Sequence, residues 1–156
     1  MGQKTLILIR HAHRDTESGR GQDNGLSEKG HRQASRVVKF YLDRELSDHP
    51  VLITSPKKRC IETLAPLAKE LGIDAKIESR VGEGENLEGR VKAWLEQWKQ
   101  GSDPLTVVCS HGDWIPVCVY QLTGAWIDIS KGGWVEMEYG VLAGRTCLTW
   151  IVQKLK

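Results

Sequence analysis

Three short apolar runs in this chain each end, without a spacer, in a cluster of charged and polar residues. Thr5 to Ile9 runs into Arg10, His11, Ala12, His13 and Arg14. "VLIT" at 51–54 runs into Ser55, Pro56, Lys57, Lys58 and Arg59, and "LTVVCS" at 105–110 into His111, Gly112 and Asp113. Apolar runs of this length, bounded by turn signals, predict buried strands. A helical pattern follows each of them, and that alternation predicts a mainly parallel sheet with helices on both faces.

The helices carry punctuation. Ser27 is placed to cap a helix over 27–46, whose apolar stripe is Ala34, Val37, Val38, Tyr41 and Leu42. The second helix is expected to take Ser55 as N-cap, Pro56 at its first position and Gly72 as stop. Pro66 inside it predicts a kink or a break. "AKIE" at 75–78 reads as a weak strand, and 90–100 as a helix with Trp94 and Trp98 on one face. Another helix is expected from Asp113 to Leu122. Residues 18–25 and 82–89 are glycine-rich and read as loops. The end of the chain alternates instead: "GGWVEMEYG" and "RTCLTWIVQ" predict an antiparallel hairpin around Gly140 and Gly144. The 156 residues fit one domain, 1–156.

Composition excludes several functions. The formal net charge is +2, so no whole-molecule field argues for nucleic acid or membrane, although a local basic cluster remains open. No apolar run reaches the length of a membrane span. Met1 to Lys4 lacks the pattern of a secretory leader, so a cytoplasmic protein is expected. Cys60, Cys109, Cys118 and Cys147 form no CxxC pair, and Cys109 and Cys147 read as buried reduced thiols. The His and Cys spacing does not suit a structural metal site.

Sheets of this kind present chemistry just beyond the carboxyl ends of their strands. Convergence there would gather Arg10, His11, Arg59 and His111 in one pocket. That set matches a phosphoryl group. Two guanidiniums bind its oxygens in planar pairs, and helix N-termini add backbone donors. An imidazole can attack phosphorus and form a phosphohistidine. Arg10 and Arg59 disfavour the imidazolium, which keeps the nucleophile neutral. His111 can donate to a phosphoryl oxygen as charge develops. The arginines supply the positive charge that a metal would, so no cofactor is required. The carboxylates near the pocket are Glu83, Glu85, Asp113 and Asp15, any of which can serve as the acid.

Other residues read as scaffold. His13 reads as a loop residue within reach of substrate, and His31 and His49 as inert. Lys57 and Lys58 read as a solvated rim. Trp94 and Trp98 read as core, as do Trp114 and Trp134, with Trp114 near enough to His111 to wall the pocket.

Four segments, "LILIRHAHRD", "GLSEKGHRQA", "ITSPKKRCIETL" and "VVCSHGDWI", in that order and at those spacings, resemble the histidine phosphatase superfamily, also called phosphoglycerate mutase-like. The pattern runs roughly from Thr5 to Leu122. The resemblance implies a three-layer α/β/α sandwich and a metal-independent phosphatase. It implies that His11 is the nucleophile, Arg10 and Arg59 bind phosphate, and His111 is the second histidine of the pocket. The short chain, the brief 79–90 segment and Ala12 in place of a commoner glycine look most like the small SixA-type phosphohistidine phosphatases. "VGEGE" places Glu83 in the family's acid position. Asp113 lies near the acid of another branch, and the SixA-like group often lacks an evident acid. The expected partner is a phosphohistidine protein or a small phosphate ester, with neither nucleic acid nor membrane, and the residues leave the oligomeric state open. Two other readings stand beside this one: a mutase-like phosphotransferase, weakened by Asp15-Thr16-Glu17 where mutases carry Asn, and a non-catalytic phosphate- or phosphoprotein-binding module.

Overall fold

The computed structural model describes residues 3–17, 19–142 and 144–156. Among these residues six strands form one sheet: β1 (Lys4–Arg10), β2 (Val51–Thr54), β3 (Lys76–Ile77), β4 (Leu105–Ser110), β5 (Trp134–Leu142) and β6 (Arg145–Val152). Among the described residues four α-helices accompany them: α1 (Glu28–Asp43), α2 (Lys58–Leu71), α3 (Leu87–Gln100) and α4 (Trp114–Thr123). The strand order is β3-β2-β4-β1-β5-β6. The first four strands in that order run parallel, and β5 and β6 join antiparallel at the β1 side. This is the expected α/β sandwich with its C-terminal hairpin. Ser18 in the first loop, Ala143 in the hairpin and Met1 and Gly2 at the start lie outside the described residues.

The central strands are apolar because both their faces are covered. On β1, Leu6 and Leu8 face a core built with Val91, Trp94, Leu95, Trp98, Ile115 and Val119 from α3 and α4. Ile7 and Ile9 face the opposite core, built with Val37, Tyr41, Cys60, Leu64 and Leu67 from α1 and α2. At one edge β3 is only two residues long, shorter than the strand read at 75–78, and both residues are exposed. So short an edge offers little to pair with.

The helices depart from expectation in instructive ways. Ser27 caps α1, its Oγ accepting from Gly30 N at 3.1 Å. That helix stops at Asp43, because Glu45 turns to a positive φ of 52°. Leu42, read into its apolar stripe, is exposed, while Ala34, Val37 and Tyr41 are buried. In α2, neither Ser55 nor Pro56 plays the role expected of it. The helix begins at Lys58, and Ser55 Oγ is instead 2.8 Å from His111 Nε2. Gly72 closes α2 in the left-handed region as expected. Pro66 does not break it, because Cys60, Thr63, Leu64 and Leu67 are buried on either side of the proline. α3 starts at Leu87, earlier than read, so the glycine-rich loop shrinks to 82–86. α4 runs from Trp114 to Thr123, a one-residue offset. Trp94 and Trp98 stack within the core, with ring centroids 6.2 Å apart. Cys109 is buried as expected, but Cys147, on the edge hairpin, is only half-buried.

The hairpin is fastened to α1 by a buried ion pair. Arg44 donates to Glu136, whose side chain is 3% exposed, and Trp134 Nε1 donates to the same carboxylate at 3.2 Å. Arg44 also lies over the Trp150 ring at 4.7 Å. Removing Arg44 leaves Glu136 buried with one partner fewer. Arg44→Ala is therefore expected to lower the unfolding free energy by about 3 kcal/mol. Urea denaturation followed by tryptophan fluorescence measures the change; a loss under about 0.5 kcal/mol, the level of an ordinary surface substitution, contradicts it.

Candidate active site

Strand register builds the pocket. Ile9 pairs with Cys109, which also pairs with Thr54, so the carboxyl ends of β1, β2 and β4 lie in one row. Arg10 and Ser110 are the last paired residues of β1 and β4, and Ser55 follows the last residue of β2. His11 N donates to Ser110 O at 2.9 Å and Ser55 N to Cys109 O at 3.0 Å, which extends the ladder one step beyond the strands. His11 and His111 then face each other with ring centroids 5.3 Å apart at 62°. Both are almost fully buried, as is Arg59 at 4% exposure.

His11 is held by its own neighbourhood. Its Nδ1 lies 2.8 Å from Ala12 O. A carbonyl only accepts, so Nδ1 carries the proton and Nε2 keeps its lone pair. Burial pushes the imidazolium pKa down to about 3; the Ala12 carbonyl opposes this, and His111, Arg59 and Arg10 reinforce it. Burial thus outweighs the arginines that the sequence reading held responsible. Thr63 Oγ1 accepts from Ala12 N at 2.9 Å and fixes the loop.

The two arginines reach the pocket from different elements. Arg10, at the end of β1, donates Nη1 to Ile129 O at 2.8 Å. Arg59 lies in the first turn of α2 and donates Nη2 to Glu83. The Nε atoms of both are buried with no protein acceptor. Unmatched guanidinium donors beside a neutral imidazole suit an anion. The N-terminus of α2 adds less than expected. Its Lys58 N is bonded to Asp23 Oδ1 at 2.9 Å, and Lys57 N, just before it, to Ser55 Oγ at 3.3 Å.

His111 is oriented from both ring nitrogens. Ser55 Oγ lies 2.8 Å from Nε2, with Cys60 Sγ 3.5 Å away. Nδ1 faces Arg59 Nη2 at 3.5 Å and Glu83 Oε2 at 3.6 Å. Glu83 is half exposed, at 39% of its side chain. Burial raises its pKa, but the Arg59 hydrogen bond, His111, Arg59's charge and Lys57 together hold it below the usual carboxylate range.

The other acids are placed elsewhere. Asp113 Oδ2 accepts from Gly84 N at 3.0 Å and so supports the loop that carries Glu83. Asp15 Oδ1 accepts from Glu17 N at 2.9 Å in the first loop, and Glu85 is exposed. His13 stands beside the pocket on a scaffold: Gln33 Oε1 accepts from its N at 2.8 Å, and its Nδ1 lies 2.7 Å from Ser27 Oγ. Lys57 is half-buried and Lys58 exposed at the mouth. Trp114 is fully buried core, and its Nε1 donates to Arg80 O at 2.8 Å. Among the described residues no cluster of His, Cys, Asp and Glu could hold a metal ion.

Several supports were missed from sequence. Arg90 donates Nη1 to Gly82 O at 2.5 Å and Nε to Glu85 O at 2.8 Å. Ser110 Oγ donates to Val81 O at 2.5 Å. Together they lace the 82–86 loop down beside the strands. A Cβ on Gly112 would meet the Arg10 guanidinium carbon at 2.7 Å, so this glycine gives Arg10 its place. Ser110 and Gly112 adjoin the third motif in sequence, whereas nothing in the sequence around Arg90 signals its role.

The family model of the histidine phosphatase superfamily (branch 1) matches residues 6–86. No curated protein matches the chain. Among solved structures, the protein histidine phosphatase SixA complexed with tungstate is similar with a TM-score of 0.80 at 15% identity, over 96% of each chain. A putative α-ribazole-5'-P phosphatase from Escherichia coli K-12 is similar with a TM-score of 0.79 at 13% identity, over 98% of each chain. A mycobacterial glucosyl-3-phosphoglycerate phosphatase with VO3 is similar with a TM-score of 0.73 at 17% identity, over 94% of this chain and 98% of that one. These likenesses are of fold, whereas the family model matches more than half of the sequence. The chain belongs to the histidine phosphatase superfamily (branch 1).

Proposed function

We propose that this protein is a metal-independent phosphatase that forms a phosphohistidine intermediate on His11, and that its substrate is a phosphohistidine. The observation that carries the reading is the neutral, buried His11, its Nδ1 tied to Ala12 O, set beside two arginines with unmatched buried donors. Similar structures of named phosphatases hold tungstate or VO3, and that supports an oxyanion site.

The lone pair on His11 Nε2 attacks phosphorus, and the bond from phosphorus to the leaving group breaks as the P–N bond forms. Arg10, Arg59 and His111 stabilise the charge on the phosphoryl oxygens. Water then attacks phosphorus and gives up a proton to solvent, the P–N bond breaks, and the electron pair returns to Nε2, while Nδ1 keeps its proton.

Glu83 bears on the choice of leaving group. An alkoxide leaves only with a proton, and a general acid is worth roughly 10²- to 10⁴-fold. In the free protein Glu83 is held ionised, chiefly by its hydrogen bond to Arg59, so it is a poor donor. It can serve only after phosphoryl oxygens draw Arg59 away and their charge raises its pKa. An imidazole needs no acid at its leaving nitrogen once its other ring nitrogen has taken a proton from solvent, which happens near neutral pH, and this favours a phosphoramidate substrate.

Glu83→Gln separates the cases. The expected result is a fall of about 10²-fold or more in kcat on alkyl phosphates, with hydrolysis of N-phosphohistidine kept within about threefold. Equal loss on both substrates overturns the phosphoramidate reading. Phosphoryl transfer to a sugar acid faster than to water would favour the mutase reading instead.

A further inference from the structure

We propose that the groove beside the pocket, between α1 and the 128–133 segment, docks the acidic surface of the protein that carries the phosphohistidine. This rests on the functional reading above and extends it from a chemical group to a kind of partner. The groove encloses about 420 Å³, and its cations are Lys29, Arg32 and Arg36 from α1, Lys131 from the loop and Lys154 near the C-terminus. None of the five has a salt-bridge partner among the described residues. The whole chain carries a net charge of only +2, while the groove lining holds five cations and no carboxylate.

The loop that lines the groove is tied to the catalytic strand end. Gly132 N donates to Arg10 O at 3.1 Å and to His11 O at 3.2 Å, which fastens the Lys131 loop to the nucleophile's backbone. Gln33, in the groove lining, bonds His13 N. Lys131 feels both regions. Burial lowers its pKa first, and Arg10, Arg20, Arg14 and Lys29 lower it further. Stacked cations without counter-ions are costly in the free protein, and an anionic partner relieves them.

The spacing argues for a protein rather than a metabolite. Lys29, Arg32 and Arg36 lie on one helix face and span about 10 Å at 1.5 Å per residue. Loop and terminal cations widen the array beyond the one or two anionic groups of a small phosphate. It suits carboxylates spread along a partner helix. Nucleic acid is disfavoured because no aromatic side chain lines the groove for a base to stack on.

The test compares two substrates on the full chain: free N-phosphohistidine, and an acidic histidine-containing phosphotransfer domain phosphorylated on its histidine. In Arg32→Glu/Arg36→Glu/Lys154→Glu, kcat/KM on the phosphodomain should fall at least about tenfold, while free phosphohistidine stays within about twofold. As a measurement independent of folding, wild-type kcat/KM on the phosphodomain should fall steeply as salt shortens the Debye length from ~30 Å to ~3 Å, and that on free phosphohistidine should not. An equal fall on both substrates, no fall on either, or displacement of the domain by a single-stranded oligonucleotide at equal concentration overturns the proposal. If wild type hydrolyses neither substrate, the functional reading fails. The groove is then judged by binding of the unphosphorylated domain: salt-sensitive binding lost in the triple variant supports it, and binding unchanged in that variant overturns it.

Discussion

His11→Asn should abolish turnover on every phosphorylated substrate, by about 10⁴-fold or more, the scale seen when a covalent nucleophile is removed. Asparagine keeps a polar group near Ala12 O but has no lone pair basic enough to attack phosphorus. The acid-labile phosphoenzyme, trapped with radiolabelled substrate and quenched in base, should vanish with it. Retention of that species in His11→Asn would move the nucleophile elsewhere, with His111 the next candidate at 5.3 Å. A second readout concerns stability. The folded His11 titrates at about 3 and an unperturbed histidine at 6.5. Below pH 6.5 the unfolded chain takes up a proton that the folded chain refuses. Wild type should therefore lose stability as pH falls from 6.5 toward 3, and His11→Asn should lose less over the same range. Equal slopes for the two proteins would mean that His11 is not held neutral.

Arg59→Ala should cost about 10³-fold in kcat/KM, the loss of a preorganised donor aimed at developing charge. Arg59→Lys should recover only part of it, because a point charge does not reproduce a planar fork. Arg59 has a second duty, since its hydrogen bond keeps Glu83 ionised. Without it, burial acts on Glu83 with less opposition, and the carboxyl pKa rises. Any limb of the pH–rate profile that reports loss of the Glu83 proton should shift to higher pH in Arg59→Ala, even as the absolute rate drops. A limb that stays in place, or moves to lower pH, would uncouple Glu83 from the reaction.

Local pattern foretold much of this molecule and erred where a side chain was needed elsewhere. "VLIT" and "LTVVCS" are strands at the predicted residues because an unbroken apolar run between turn signals has few other outcomes. Ser27 caps its helix because no other group competes for its Oγ except the adjoining His13. Ser55 reads just as well as a cap, yet it orients His111, a contact across 56 positions that no window of sequence contains. The glycine-rich loop is shorter than its composition suggests for a like reason. Asn86, with a left-handed φ of 54°, and packing by Val91 and Trp94 set where α3 begins.

The candidate site divides along the same line. Residue types at three strand ends were enough to nominate Arg10, His11, Arg59 and His111, because parallel strands must bring their carboxyl ends to one edge. Glu83, Glu85, Asp113 and Asp15 were indistinguishable at that level, since each is simply a carboxylate near a motif. Only the folded chain separates them. It ties Asp113 to Gly84, turns Asp15 back on its own loop, leaves Glu85 exposed and sets Glu83 against Arg59 and His111. Sequence by itself determined the family pattern and the inventory of the pocket, because strand, cap and motif signals act over a few residues. Tertiary structure decided the burial that neutralises His11, the state of Glu83 and the cationic groove, because desolvation and charge depend on distances between segments far apart in the chain.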